Sequence, residues 1–364
     1  MASQIRLPLM YLAIGLVVAG SATIGAGKDR ALNQESDWLG VIAGDEAGSE
    51  AELAAEMAEL FANDSPFRVV PVTGDGGLKN ISRLLHDPHI DAGFISTDVL
   101  AGAKTQSPGN DLAERLQVVA RFCPQEVHVL ARADIKSLAD LAGKKVNIGP
   151  AGGSSAATAT ILFRAFDIKV DSLALDSRMA IEKLKQGTIA AAVIVGAKPA
   201  PLIAKIPASD GLHLLPVEFG ASLEDSYLPT GFDRDDYPNL IEPETEIPSI
   251  ATGLVLLAAT AKDDEGHAER LAGFVGTLFA RFAELKKGGR HPKWREINLA
   301  ASLPGWTRTP AAEAWLTEQQ KGSVRRDPQA KIEAGVVPSH LAVGQDQREA
   351  LFKQYIEWQR AKGH

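Results

Sequence analysis

The run Lys145-Val146-Asn147-Ile148 is short and strand-like, and it meets Gly149-Pro150-Ala151-Gly152-Gly153 before Ser154-Ser155 open a helical stretch to Phe166. A strand that feeds a helix through a glycine turn leaves the first N–H groups of that helix unpaired, here beside two hydroxyls. Small anions and carboxylates suit such a junction. The same strand-to-helix unit recurs along the chain, and that recurrence constrains the fold most. Trp38 to Ala43, Arg68 to Val72 and Ala92 to Ser96 read as strands. Between them, Ser49 to Ala62 carries Ala51, Leu53, Ala54, Met57, Leu60 and Phe61 at helical spacing, and Leu78 to His86 reads as a second helix. Short strands alternating with longer helices predict an α/β architecture with mainly parallel strands.

Leu116 to Phe122 and Glu126 to Ala131 read as two extended segments around Pro124, where the chain is expected to cross from one lobe to another. A second set of units follows. Ser172 to Leu175 and Ala190 to Val195 join Lys145 to Ile148 as strands, Ser177 to Lys185 is a helix, and Pro199 to Ile206 is a short one. Glu244 to Ala259 reads as a strand pair returning to the first lobe. Asp264 to Leu285 reads as one amphipathic helix ended by Lys286-Lys287-Gly288-Gly289-Arg290. The tail holds Trp294, Trp306, Trp315 and Trp358, which read as packing residues, and a final helix is expected from Gln345 to Lys362.

Four glycine or hydroxyl turns follow strands: Gly44 to Ser49, Thr73 to Gly77, Ser96-Thr97-Asp98 and Gly149 to Ser155. Ligands of open α/β sheets bind outside the carboxyl ends of the strands, so these turns are expected to converge on one crevice. Asp45, Glu46 and Asp75 read as turn carboxylates that could meet an amine or a cation there. The glycines at Gly74, Gly76 and Gly77 lack the spacing of a dinucleotide fingerprint, and no lysine stands where a phosphate loop needs one, so no cofactor is expected. His86-Asp87-Pro88-His89-Ile90-Asp91 gathers metal-ligating types, but Pro88 breaks the segment, and no metal is expected. Ser154 and Ser155 have no base evident in the sequence and no G-x-S-x-G elbow occurs, so no catalytic residue is assigned and the chain does not read as an enzyme.

Of the 364 residues, 46 are acidic and 38 basic, a net charge of −8, which argues against a nucleic-acid partner. Cys123 is the single cysteine and reads as a small core side chain; no disulfide within the chain is possible. Leu7 to Gly20 is almost wholly apolar behind Arg6, with small residues continuing to Gly27. That layout reads as a secretory signal cleaved near Gly20-Ser21-Ala22, or as an uncleaved membrane anchor. No cysteine follows it to carry a lipid. Either reading places the folded part outside the cytoplasmic membrane, in the periplasm or its equivalent.

From about Trp38 to Leu285 the chain resembles the TAXI solute receptors associated with TRAP transporters. Their opening glycine turn is matched by Gly44 and Gly48-Ser49, with Glu50 where an aromatic is expected. A turn followed by asparagine is matched by Gly76 and Asn80, with Gly77 in the place of a serine. The polar strand end is matched by Ser96-Thr97-Asp98, and the Gly-Ser-Gly-Thr loop by Gly152-Gly153-Ser154-Ser155. Gly196, Pro199 and the entry Ile247-Pro248 also fit. The resemblance implies a two-lobed periplasmic-binding-protein fold of type II, with a hinge and a ligand cleft between the lobes. With the signal or anchor read over 1–27, residues 28–122 and about 245–285 are expected to form the first lobe and 123–244 the second. Residues 286–364, which fit the family poorly, are expected to form a C-terminal helical extension. The resemblance implies that Gly44, Ser49, Gly76, Asn80, Ser96, Thr97, Asp98, Gly152, Gly153, Ser154, Ser155 and Gly196 hold the ligand. That ligand would be a small acidic solute, glutamate-like or dicarboxylate-like, passed to TRAP transporter membrane subunits. A membrane-tethered sensor or assembly protein that reuses the binding fold is the other reading.

Overall fold

A computed structural model describes residues 38–44, 49–62, 65, 67–106, 112–224, 226–260 and 266–326. The N-terminal apolar segment, Asp45, Glu46, Gly48 and the helix expected at Gln345 to Lys362 lie outside them. In chain order the elements begin with β1 (Trp38–Ile42), α1 (Ser49–Glu59), β2 (Arg68–Val72), α2 (Gly77–His86), β3 (Ala92–Ser96), α3 (Thr97–Gln106), α4 (Leu112–Arg115) and β4 (Leu116–Arg132). Then come β5 (Lys145–Asn147), α5 (Ser154–Ala165), β6 (Asp171–Leu173), α6 (Ser177–Lys185), β7 (Ala191–Gly196), α7 (Pro201–Ala204) and β8 (Leu212–Leu214). The last are β9 (Leu228–Phe232), β10 (Ile247–Ala259), α8 (His267–Ala280), α9 (Phe282–Leu285) and α10 (Pro310–Arg326).

The strands lie in the order β2-β1-β3-β10-β4-β7-β5-β6, with β8 beside β4 and β9 beside β10. Within each half the βα units are parallel: β1 pairs with β2 and β3, and β5 with β6 and β7. The long strands β4 and β10 run antiparallel from Leu116 opposite Ala259 to Glu126 opposite Ala251. One half of each serves the first lobe, where β10 pairs β3. The other half serves the second, where β4 pairs β7 and β8, and β10 pairs β9. Two lobes are thus joined by two crossing strands.

The expected break at Pro124 is instead an irregularity inside one continuous strand. Pro124 has no N–H to donate, and it faces Gly253 where the β4–β10 register shifts before Val255. The long helix expected to Leu285 is divided in a similar way. Arg281, at φ −99° and ψ 6°, leaves helical geometry between α8 and α9, and its side chain bonds the Leu60 carbonyl and Glu284.

Side chains alternate across the strands, so each lobe has apolar cores on both faces. In the first lobe, Leu39 and Val41 meet Leu53, Met57, Phe274 and Leu278, while Ile42 meets Ile81, Leu84 and Val99 on the other side. In the second, Val193 packs with Leu162 and Phe163, and Ile194 with Ile181 and Leu184. Cys123 is fully buried in the first of these cores, and burial pushes its thiol pKa far up. The stretch beyond Leu285 joins the same core. Trp294 sits edge-on to Phe122 and Phe282, Trp315 edge-on to Phe279, and Val118 exchanges backbone hydrogen bonds with Thr307 and Thr309. Through Leu316, therefore, the tail is built into the first lobe.

Candidate functional site

The turns after β1 and β2 face those after β5 and β7 across the crevice between the lobes. They enclose a cavity of about 60 Å3. Gly44, Ser49, Glu50, Asp75 and Gly76 line it from the first lobe; Pro150, Ser154, Ser155, Gly196 and the start of α7 line it from the second.

The lobes meet directly around this cavity. Gly77 N donates to Ser154 Oγ at 2.9 Å, Lys79 N to Gly152 O at 3.4 Å, and Ala197 N to Ser49 Oγ at 2.8 Å. Glycine is required for this approach: a Cβ on Gly77 would stand 2.4 Å from Gly152 O, and Gly77 has φ +58°. Within the second lobe, Ser155 Oγ accepts from Val195 N at 3.1 Å. Each of these serines accepts one backbone N–H and keeps its own hydroxyl proton to donate.

Six of the residues proposed from the sequence line the cavity: Gly44, Ser49, Gly76, Ser154, Ser155 and Gly196. The other six do not line it. Asn80 is buried and braces two turns, accepting from Gly76 N at 3.1 Å and donating to Ala43 O at 2.8 Å. Thr97 Oγ1 lies 3.1 Å from Thr252 Oγ1 and accepts from Gly253 N. Ser96 Oγ is buried with no hydrogen-bond partner. Gly152 and Gly153 press on the backbone at Gly77 and Asp75. Asp98 reaches the other lobe, accepting from Thr158 Oγ1 at 2.5 Å and from Tyr227 OH at 3.0 Å. The residues of the His86–Asp91 segment are drawn apart: His86 bonds Ser82 O, Asp87 bonds Arg83, His89 stacks on Trp38, and Asp91 holds His267 and Gly40 N.

A model of the NMT1-like family matches residues 52–300, well over half of the chain. The chain belongs to the NMT1-like family. Similar solved structures include a TctC solute binding protein from Polaromonas, at 15% identity and a TM-score of 0.40 over 80% of this chain and 99% of that one. The periplasmic binding protein BugD is 14% identical, with a TM-score of 0.47 over 82% and 98%. The alkanesulfonate-binding protein SsuA from Xanthomonas axonopodis pv. citri, bound to MOPS, is 15% identical, with a TM-score of 0.43 over 80% and 93%. These are distant likenesses. The two-lobed binding-protein fold rests on this NMT1-like chain's own strand order and its two crossing strands.

Glu50 lines the cavity and was not among the sequence candidates. Glu50 sits in the first turn of α1, where the amphipathic spacing puts it on the buried face with Leu53, Ala54 and Met57. That spacing was the available signal; the position read only as a missing aromatic. Burial raises the Glu50 carboxyl to about 7, although a backbone hydrogen bond from Gly44 acts in the opposite direction. In this NMT1-like protein the raised acid has a defined sign. From pH 4.5 to 7 the unfolded chain releases the Glu50 proton and the folded chain holds it, so stability falls as pH rises through this window. Glu50→Gln is therefore expected to gain on the wild type by up to ~3 kcal/mol between pH 4.5 and pH 7.5. Urea unfolding of both proteins across that range checks this, and parallel stability curves would refute it.

Among the described residues, no helix is long and apolar enough to cross a membrane.

Proposed function

We propose that this protein is an extracytoplasmic solute-binding receptor that takes up a small polar solute between its lobes. The observation that supports it most is the cavity between the facing turns of the two lobes, lined by Ser49 and Gly76 on one side and Ser154 and Ser155 on the other. Ser154 Oγ–H and Ser155 Oγ–H are positioned to donate to a carboxylate, as the start of α5 would favour. The order of the TAXI-like turns over about 250 residues supports a TAXI-type receptor serving a TRAP-type transporter, with a glutamate-like or dicarboxylate-like solute. Delivery from outside the membrane accords with the signal or anchor read in the N-terminal sequence.

Thermal-shift measurements against amino acids, dicarboxylates and short organic acids test this reading. A solute at 100 times its Kd should add about 2.7 kcal/mol, or roughly 5 °C for a chain of this size. The alternative is a tethered sensor or assembly protein that reuses the fold. It is supported by the altered ligand turns, Glu50 in place of an aromatic and Gly77 in place of a serine, and by the tail beyond Leu285. A folded protein that no member of the panel stabilises would establish that alternative over the receptor.

A further inference from the structure

Glu50 is 7% exposed, and its Oε2 has no hydrogen-bond partner while its carboxyl lines the inter-lobe cavity. Gly44 makes room for it: a Cβ there would lie 2.6 Å from Oε2. The other ionisable side chain among the described lining residues, Asp75, is also acidic and pairs with Lys79 at 2.7 Å toward the outside. Among the described residues no basic side chain forms an ion pair with Glu50. A buried carboxyl oxygen without a donor is costly, and a charge-assisted hydrogen bond from a bound group removes that cost.

We propose that Glu50 is the recognition group for an ammonium, so that the solute carries an amino group and is not a plain dicarboxylate. This rests on the receptor reading above and narrows it. A dicarboxylate would set a second negative group against Glu50 with no cation between them. An amino-bearing solute instead places its N–H donors on Oε2 and leaves the hydroxyls of Ser154 and Ser155 for its carboxylate.

The test is calorimetric titration of the full chain with two matched pairs: L-glutamate against glutarate, and ethanolamine against ethylene glycol. Each pair differs mainly in the amino group. Glutamate, ethanolamine or both should bind while their amine-free partners do not. Glu50→Gln, which preserves the shape, should weaken amine binding by about tenfold or more, and Glu50→Asp, which preserves the charge, should retain the preference. The cooperative unfolding of each variant is recorded alongside. Glutarate binding as tightly as glutamate, or amine binding unchanged in Glu50→Gln, overturns the role of Glu50 while the receptor reading stands. No binding by any of the four, together with silence across the broader thermal-shift panel, removes the receptor reading and this inference with it.

Discussion

Lys293→Ala is expected to cost about 3–5 kcal/mol of stability, because it leaves a buried carboxyl without its counter-charge. Lys293 lies in a single turn of 3-10 helix, Pro292–Arg295, and is 3% exposed; Glu126, in β4, is 1% exposed. Lys293 Nζ donates to Glu126 Oε1 at 2.7 Å and to Glu296 Oε2 at 2.9 Å. Burial pulls the lysine pKa down, but Glu126 and then Glu296 more than reverse this, so the net shift is upward and the ammonium is held charged. The other oxygen of Glu126 accepts from Lys198 N at 2.8 Å, just past β7. The carboxylate thus ties the C-terminal part of the first lobe to a turn of the second, where β4 passes between them. Lys293→Met combined with Glu126→Gln should recover much of the loss, since no unpaired buried charge then remains, Glu296 being half exposed to solvent, and Gln still offers an acceptor to Lys198 N. Urea unfolding of the single and double variants gives the comparison. A single variant within about 0.5 kcal/mol of wild type would contradict the account.

Asp98→Ala should cost about 2–4 kcal/mol and loosen the lobes. The hydroxyls of Thr158 and Tyr227, on the second lobe, both donate to the same Asp98 oxygen on the first, and all three residues are buried. Burial first, and Asp98 second, push the Tyr227 phenol pKa far up, so it stays protonated and donates. Removing the acceptor strands two buried donors and cuts a direct link between lobes. Tyr227→Phe removes one donor together with its need for a partner and should cost only about 1 kcal/mol. Small-angle scattering should show a larger radius of gyration for Asp98→Ala than for Tyr227→Phe. Equal stability and identical scattering for Asp98→Ala and wild type would show that Asp98 does not hold the lobes together.

Much of the site's frame was readable along the chain. The strand ends at Ile42, Val72, Ser96 and Asn147 fall close to where apolar runs meet glycine or hydroxyl turns, because side-chain alternation and glycine's freedom are local properties. The burial of Glu50 comes from the structure, which turns it to the side of α1 that carries Leu53, Ala54 and Met57. Its unpaired oxygen was not readable either, since that depends on what the second lobe brings to the crevice. The hydroxyls of Ser49, Thr97 and Ser154 were chosen as ligand donors; the structure also gives each of them a backbone N–H of its own protein.

The sequence by itself determined the α/β units, their glycine turns and that no disulfide can form within the chain. Only the tertiary structure decided that Pro124 lies within a continuous crossing strand and that the tail through Leu316 completes the first core. It also decided that Asp98 meets Tyr227 and Glu126 meets Lys293, pairs separated by 129 and 167 residues. The division has a physical cause. Periodicity and turn chemistry are set by neighbours a few residues apart, whereas the partner of a buried polar group is set by how two separately packed lobes come together.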